Sequence, residues 1–394
     1  MRRGRPTRAK GLMLEAAVRS LRKFFFAGRG LSLRTGKYFG QALLVGVIAG
    51  LVVAAFRWLI DLGFEVIFKG IGQGNRWILL VLPAVGALLG YLFIRRFDSL
   101  EHARGTDSAI LAFHRRHGYV PPAVLPVKSV ASVLTVASGG SAGYEGPVTL
   151  IGAACGSIVA SWFGLSRRAR RILMSAGISA GIAALFQAPL AGAIFGFEVL
   201  YSSSDIEYDS ILPCFIASTV AYTIFAYFHG WGALFPMPSD IAYQNGLRLL
   251  PYFVLALLVT FAARSYITCF NSVEHAFGHL ACPGWMKVVL GGLATGVIGF
   301  ILPPVLGTSY PVIQSVLTSD ASSVSARTCL LLLAVFLAKM LATSFTVGSG
   351  GSGGVFAPAL VCGASLGGAV GFFFARVLPA SWGVHPAAFA LVGM

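Results

Sequence analysis

Acidic side chains are scarce in this chain. Asp and Glu together number 14 among 394 residues, and all charged types make up 11 %, against about a quarter in an ordinary soluble domain. Cysteine is sparse too: Cys155, Cys214, Cys269, Cys282, Cys329 and Cys362 are scattered, mostly in apolar stretches, with no C-x-x-C pair. That pattern says little by itself and reads as buried thiols. There is no H-E-x-x-H helix, and neither Gly-rich cluster carries the G-K-[ST] ending of a phosphate loop. The polar links are short, so there is no room for a sizeable soluble domain. Nothing in the sequence supports an enzyme.

What is present is apolar. Hydrophobic types make up 56 % of the chain, and the mean hydropathy is +0.79. Apolar runs fall near 41–66, 77–95, 121–137, 146–164, 172–200, 211–229, 248–268, 286–306, 327–347, 355–378 and 386–394; some are long enough to cross a bilayer as a helix at roughly 20 residues, and others are short or interrupted by Gly and Pro. Unbroken runs exclude a β-barrel, whose strands alternate polar and apolar. The expected class is an all-α polytopic membrane protein. Glycine, at 48 residues, is well above the ordinary share and fits close helix packing and broken helices.

The net charge of +16 is concentrated at one end. Residues 1–37 hold eleven Lys/Arg and a single acid, Glu15. A basic block ahead of the first apolar run reads as a cytoplasmic N-terminal segment, with no nucleic-acid partner. No signal peptide is evident, because the first apolar run begins near residue 41 and is too long.

The chain repeats itself. Residues 128–157 and 339–368 align without a gap at a constant offset of 211, with thirteen identities that include Lys128/Lys339, Thr135/Thr346 and Pro147/Pro358. This divides the chain into a first transmembrane repeat over 38–230 and a second over 231–394. Halves of this kind pack with opposite topology around a central site formed by discontinuous helices. The first repeat continues through 183–200 after its motif, so the second is expected to lack its final part at Met394.

In each repeat an apolar segment ends in a Ser/Gly cluster, and a new helix is expected to start about at the proline. Helix N-termini present N–H groups and the positive end of a dipole, so two of them meeting make an anion site without a buried cation. The repeats differ where it matters: Glu145 stands in the first and Phe356 in the second. A carboxylate at an apolar helix start competes with an anion for the same N–H groups, which makes Glu145 a gate.

Three motifs in order resemble the CLC family of chloride channels and proton/chloride exchangers. Gly143–Pro147 (GYEGP) is similar to the family's GREGP, residues 348–358 (GSGGSGGVFAP) to its second anion-binding segment, and residues 187–192 (QAPLAG) to its NAPLAG. The resemblance implies a homodimer with one pore per subunit, chloride as the transported ion, no cofactor and no metal. It makes Glu145 the gate and gives the N–H groups of Val355 and Phe356 to the central anion. It sets Arg104, Gly105, Thr106 and Asp107 where the family's GSGIP loop contributes a serine. With the motif glycines and Tyr144, the expected anion-binding set is Arg104, Gly105, Thr106, Gly143, Tyr144, Gly146, Gly354, Val355 and Phe356.

This sequence departs from the family at several points. Tyr144 replaces the usual Arg, and Arg104 stands at the serine position. Val199 occupies the place where exchangers commonly carry an inner, proton-carrying glutamate; the adjacent Glu198 is structural. The sequence therefore reads as a passive, voltage- or pH-gated chloride pathway. A proton-coupled antiporter, with Asp205, Glu207 or Asp209 carrying the proton, and a fluoride exporter are the alternatives. His275, His279 and Cys282 share one helical face but read as a solvated link, not a metal site, and His114–His117 reads as a solvated basic run.

Overall fold

The computed structural model describes residues 38–71, 76–97, 105–201, 208–235, 246–318, 326–379, 382 and 384–394. The basic segment 1–37, Arg104, Asp205 and Glu207 lie outside them. The described residues fold into helices: α1 (Phe39–Gly63, running on as a wider π-type turn over Phe64–Ile71), α2 (Ile78–Arg95), α3 (Thr106–Arg115), α4 (Val124–Ala137), α5 (Glu145–Trp162), α6 (Arg167–Phe186), α7 (Pro189–Glu198), α8 (Ile211–His229), α9 (Leu250–His279), α10 (Gly284–Ile301), α11 (Tyr310–Leu317), α12 (Ala326–Gly348), α13 (Phe356–Val377) and α14 (Pro386–Gly393). Eight of the helices among the described residues are long and apolar enough to cross a membrane. This is the outcome hydrocarbon demands, since helices satisfy their backbone polar groups internally. The protein is an integral membrane protein.

Local chemistry sets the breaks. The apolar run 172–200 is two helices, because Gln187 turns into the left-handed region (φ 54°) and Pro189 opens α7 as its first residue. Ser166 caps α6 by accepting the Ala169 N–H at 3.3 Å. Conversely, 269–279 belongs to α9 and not to a link, because nothing interrupts the helix before His279.

The chain forms two compact units. One takes residues 38–54, 107–125 and 149–231. Its centre is α6, whose residues from Ile172 to Leu185 are all buried. Glycines let backbones touch there: a Cβ on Gly177 would stand 2.1 Å from the Gly152 carbonyl oxygen, and one on Gly156 2.0 Å from that of Leu173. The short α7 folds back on α6 through Gly192 and Gly196, and α1 meets α8 at Gly46 and Gly50. The run His114–His117 is exposed, as read from sequence, and the His114 ring bonds the Leu200 carbonyl at 2.7 Å.

The other unit takes residues 55–106, 126–148 and 232–394. Here α2 lies on α10 at Gly292 and Gly296, and on α4 at Gly86 and Gly90. α14 packs on α13, where Gly363 meets Gly393 and Gly367 meets Phe389. α9 turns Phe253, Leu257 and Phe261 outward, an apolar face suited to lipid.

Candidate anion site and its gate

The bridge between the Gly-rich segments and the surroundings of Glu145 lie within this second unit. The Gly-rich segments of the two repeats meet as a reciprocal pair: the Gly143 N–H donates to the Gly354 carbonyl at 2.7 Å, and the Gly354 N–H returns to Gly143 at 2.7 Å. These residues are equivalent under the 211-residue offset, so the bridge maps onto itself. The side chains around it obey the same symmetry. Ser132 bonds Ser352 at 3.0 Å, and the equivalent pair, Thr343 and Ser141, bonds at 3.1 Å. Gly140 donates to the Thr135 carbonyl and Gly351 to that of Thr346, both at 3.0 Å. A local two-fold axis therefore passes through the bridge. The serine and threonine side chains named here are all buried, and pairing across the axis removes the cost of burying them unpaired.

The bridge aims the helices. α5 begins at Glu145 and α13 at Phe356, each two residues ahead of its proline, so both N-termini start beside the axis. Glu145 is 3 % exposed. Its carboxylate reaches across to the other repeat, where Oε2 accepts the Ala357 N–H of the first turn of α13 at 3.3 Å. Its other oxygen, Oε1, accepts from the Tyr310 hydroxyl at 2.5 Å. The acid is thus held where helix-end N–H groups and the positive end of a dipole favour negative charge. The second repeat, with Phe356 at the equivalent place, sends no acid back.

The other expected site residues take several positions. Gly143 and Gly354 commit their N–H groups to each other, so they frame the site instead of offering donors to an anion. Gly143 also makes room for the Glu145 carboxylate, since a Cβ there would stand 2.1 Å from its Oε2. Gly105, Gly146 and Gly354 stack backbone to backbone: a Cβ on Gly105 would lie 3.2 Å from the Gly146 carbonyl carbon, and one on Gly354 2.9 Å from the Gly146 nitrogen. Gly105 also holds φ +93°, a value that favours glycine. The turn before α3, which ends at Thr106, is thereby brought to the two motifs. Val355 is the N-cap of α13, and its carbonyl accepts from the Tyr266 hydroxyl at 3.1 Å. The Tyr144 side chain turns to Arg57, whose Nη1 donates to its hydroxyl at 2.7 Å. Val199 is the C-cap of α7, half-buried, beside the exposed Glu198. Asp209 is paired with Arg168 at 2.8 Å.

Four residues around the gate escaped sequence reading: Ala357, Tyr310, Arg57 and the buried Lys339. Lys339 donates to the carbonyls of Val305 at 3.0 Å and Gly307 at 2.7 Å, and lies within electrostatic reach of Glu145. Its identity with Lys128 across the repeats was a usable signal. His275 and His279 meet at 3.0 Å between Nε2 atoms, but no group of three or more His, Cys, Asp or Glu able to hold a metal occurs among the described residues.

A carboxylate on a helix N-terminus, inside an all-helical membrane protein built on repeated Gly-rich breaks, is the architecture of a membrane anion transporter. The sequence model of the family described as Voltage gated chloride channel matches residues 85–394, and the chain belongs to this family, the CLC family of chloride-transport proteins. It is 30 % identical over 365 residues to a chloride channel protein, ClcB-like, of Ralstonia nicotianae, covering 89 % of this chain and 82 % of that one. It is 29 % identical over 367 residues to the H(+)/Cl(-) exchange transporter ClcA of Yersinia pestis, covering 90 % and 75 %. Its fold is similar to the crystal structure of a slow cyanobacterial Cl-/H+ antiporter, with a TM-score of 0.79, 24 % identity and coverage of 93 % and 85 %. It is also similar to that of a CLC-type fluoride/proton antiporter, with a TM-score of 0.74, 22 % identity and coverage of 90 % and 83 %.

Proposed function

We propose that this protein exchanges chloride for protons across the membrane, with Glu145 as the group on which the two ions take turns. One observation carries the reading: the Glu145 carboxylate takes the Ala357 N–H at 3.3 Å, at a helix N-terminus where a chloride ion would seek the same donors. An ionised Glu145 blocks the anion. A protonated Glu145 loses most of its attraction to the helix end and leaves it to chloride. The name of the Yersinia pestis relative, an exchange transporter, supports coupling.

A passive pathway gated by the same acid is the second reading. Val199 favours it, because an apolar side chain there carries no proton. The two part in proteoliposomes holding a chloride gradient with the voltage set. The exchanger moves protons against their own gradient at a fixed ratio to chloride. Chloride flux without proton movement rejects it and leaves the passive pathway. Glu145→Ala abolishes proton movement and leaves chloride flux running; lost flux in a folded, chloride-binding variant rejects the gate.

Chloride is the ion, and fluoride exported faster than chloride from mixed-halide vesicles would replace it. The protein is a homodimer in a bacterial inner membrane with its basic N-terminal segment in the cytoplasm. Cross-linking in native membranes tests the first statement, and labelling of residues 1–37 from each side tests the last.

A further inference from the structure

We propose that Tyr310 is a latch on the gate, a positioning residue that holds the Glu145 carboxylate on the N-terminus of α13 and so weakens chloride binding there. The proposal rests on the reading of Glu145 as the anion's competitor.

The carboxylate is held at both oxygens, by the Tyr310 hydroxyl at 2.5 Å and by the Ala357 N–H at 3.3 Å. The tyrosine bond is the shorter, and a hydroxyl on an ionised acceptor is among the stronger hydrogen bonds in proteins. The latch itself is braced. The Tyr310 ring is packed edge-on by Tyr144, with centroids 5.8 Å apart, and by Phe235 at 5.4 Å. The chain enters α11 through Gly307 (φ +63°) and Ser309 (φ +62°). A left-handed serine is a conformation that persists only where its surroundings enforce it, and here it delivers Tyr310 to the acid.

The brace continues to the surface of the unit. The Arg57 guanidinium donates to the Tyr144 hydroxyl at 2.7 Å and lies 5.4 Å from the centre of its ring. Its Nε bonds both oxygens of Asp61, at 2.8 and 3.0 Å, and the Asp61 side chain is 49 % exposed. Tyr144 stands where the family motif usually has Arg. Arg57 brings a guanidinium to that place from α1, and the tyrosine it anchors supports the latch. The contact sequence Asp61, Arg57, Tyr144, Tyr310 and Glu145 links an exposed acid to a buried one.

Chloride calorimetry on the full chain in detergent tests this. Tyr310→Phe keeps the ring and removes the hydroxyl. It tightens the chloride Kd about tenfold, the equivalent of one hydrogen bond to a charged group. Glu145→Ala also tightens it, and adding Tyr310→Phe to that variant changes nothing more. Arg57→Gln moves the Kd the same way by a few fold, again only while Glu145 is present; this variant carries the test if Tyr310→Phe fails to fold. An unchanged Kd in Tyr310→Phe, with Glu145→Ala still tightening it, overturns the latch alone. A shift of equal size with and without Glu145 overturns it as well, because it reports packing. A Glu145→Ala variant with unaltered affinity removes the gate and the latch together.

Discussion

Gly143→Ala is the smallest change that reaches the gate. Gly143 has ordinary backbone angles, since it is not among the positive-φ residues, so an alanine there is strained by space alone. Its Cβ would stand 2.1 Å from Glu145 Oε2, 2.9 Å from the Ala357 Cβ and 3.1 Å from the Ala357 nitrogen. The nearest of these atoms is the end of a flexible side chain, so the carboxylate yields most, while the first turn of α13 gives slightly at the Ala357 Cβ. It must withdraw by roughly 1 Å or more to reach an ordinary contact distance. The Ala357 N–H bond is already 3.3 Å long and does not survive that displacement. One hydrogen bond to a charged group contributes about 1.5–3 kcal/mol, so the blocked state loses roughly ten- to a hundredfold of its advantage. Chloride calorimetry and proteoliposome efflux read the change: the variant binds chloride more tightly, passes it faster and moves fewer protons per chloride. In a Glu145→Ala background the carboxylate clash is gone and only the contacts with Ala357 remain, so the same substitution has a much smaller effect on binding and flux. A folded Gly143→Ala protein with unchanged affinity and coupling refutes the reasoning, as does an effect of undiminished size without Glu145.

Gly177→Ala sets a Cβ 2.1 Å from the Gly152 carbonyl oxygen. With backbone on both sides, it is expected to cost about 1–3 kcal/mol or more, read as a lower unfolding temperature in detergent. Ser132→Ala and Ser141→Ala each remove one of the two symmetric side-chain bonds, so each should cost about 1 kcal/mol and the two should match within error. The Ser141 loss will exceed the other if its N–H bond to Thr346 at 3.1 Å depends on the side chain. Asp209→Asn breaks an exposed pair with Arg168, changing stability by less than about 1 kcal/mol. Because Asp209 is engaged by an arginine, the variant should leave proton movement at the wild-type rate; a large loss would make Asp209 a proton carrier.

The 211-residue repeat made much of the site legible before any coordinates. It located Glu145, the proline-led helix starts and the segments that form the bridge, because local grammar encodes them: glycine where backbones approach, proline in a first turn, an acid where only apolar residues are expected. It did not reveal what the acid touches. Tyr310 lies 165 positions from Glu145, in no motif, and its role comes from a turn geometry that a lone sequence does not announce. Arg57 and Asp61 did leave a trace, an i, i+4 charge pair inside an otherwise apolar run. Ionisable residues in such a run are functional by default, and that signal pointed to the gate's surroundings. Helix lengths were less legible: 172–200 reads as one apolar run although Gln187 and Pro189 divide it into two helices, and at 269–279 polar residues continue a helix past the apolar run.

The repeats are alike where structure is needed and unlike where chemistry is. Bridge, serine–threonine pairs and glycine-to-threonine turns recur on both sides of the local axis, and each pairing satisfies buried polar groups that hydrocarbon would leave unpaired. Two equal helix N-termini alone would make a symmetric trap for anions, with nothing to release them. The exchange of Phe356 for Glu145, and of Val355 for Tyr144, breaks that balance. One repeat supplies the competitor and the tyrosine beside it. The other supplies, at Ala357, the helix end that the acid occupies and for which, on our proposal, an anion competes. A second acid at position 356 would set two like charges against the same pair of helix ends, and one of them would have to be neutral. In the function proposed, a single acid reaching across the axis is what lets one proton decide whether the site is open.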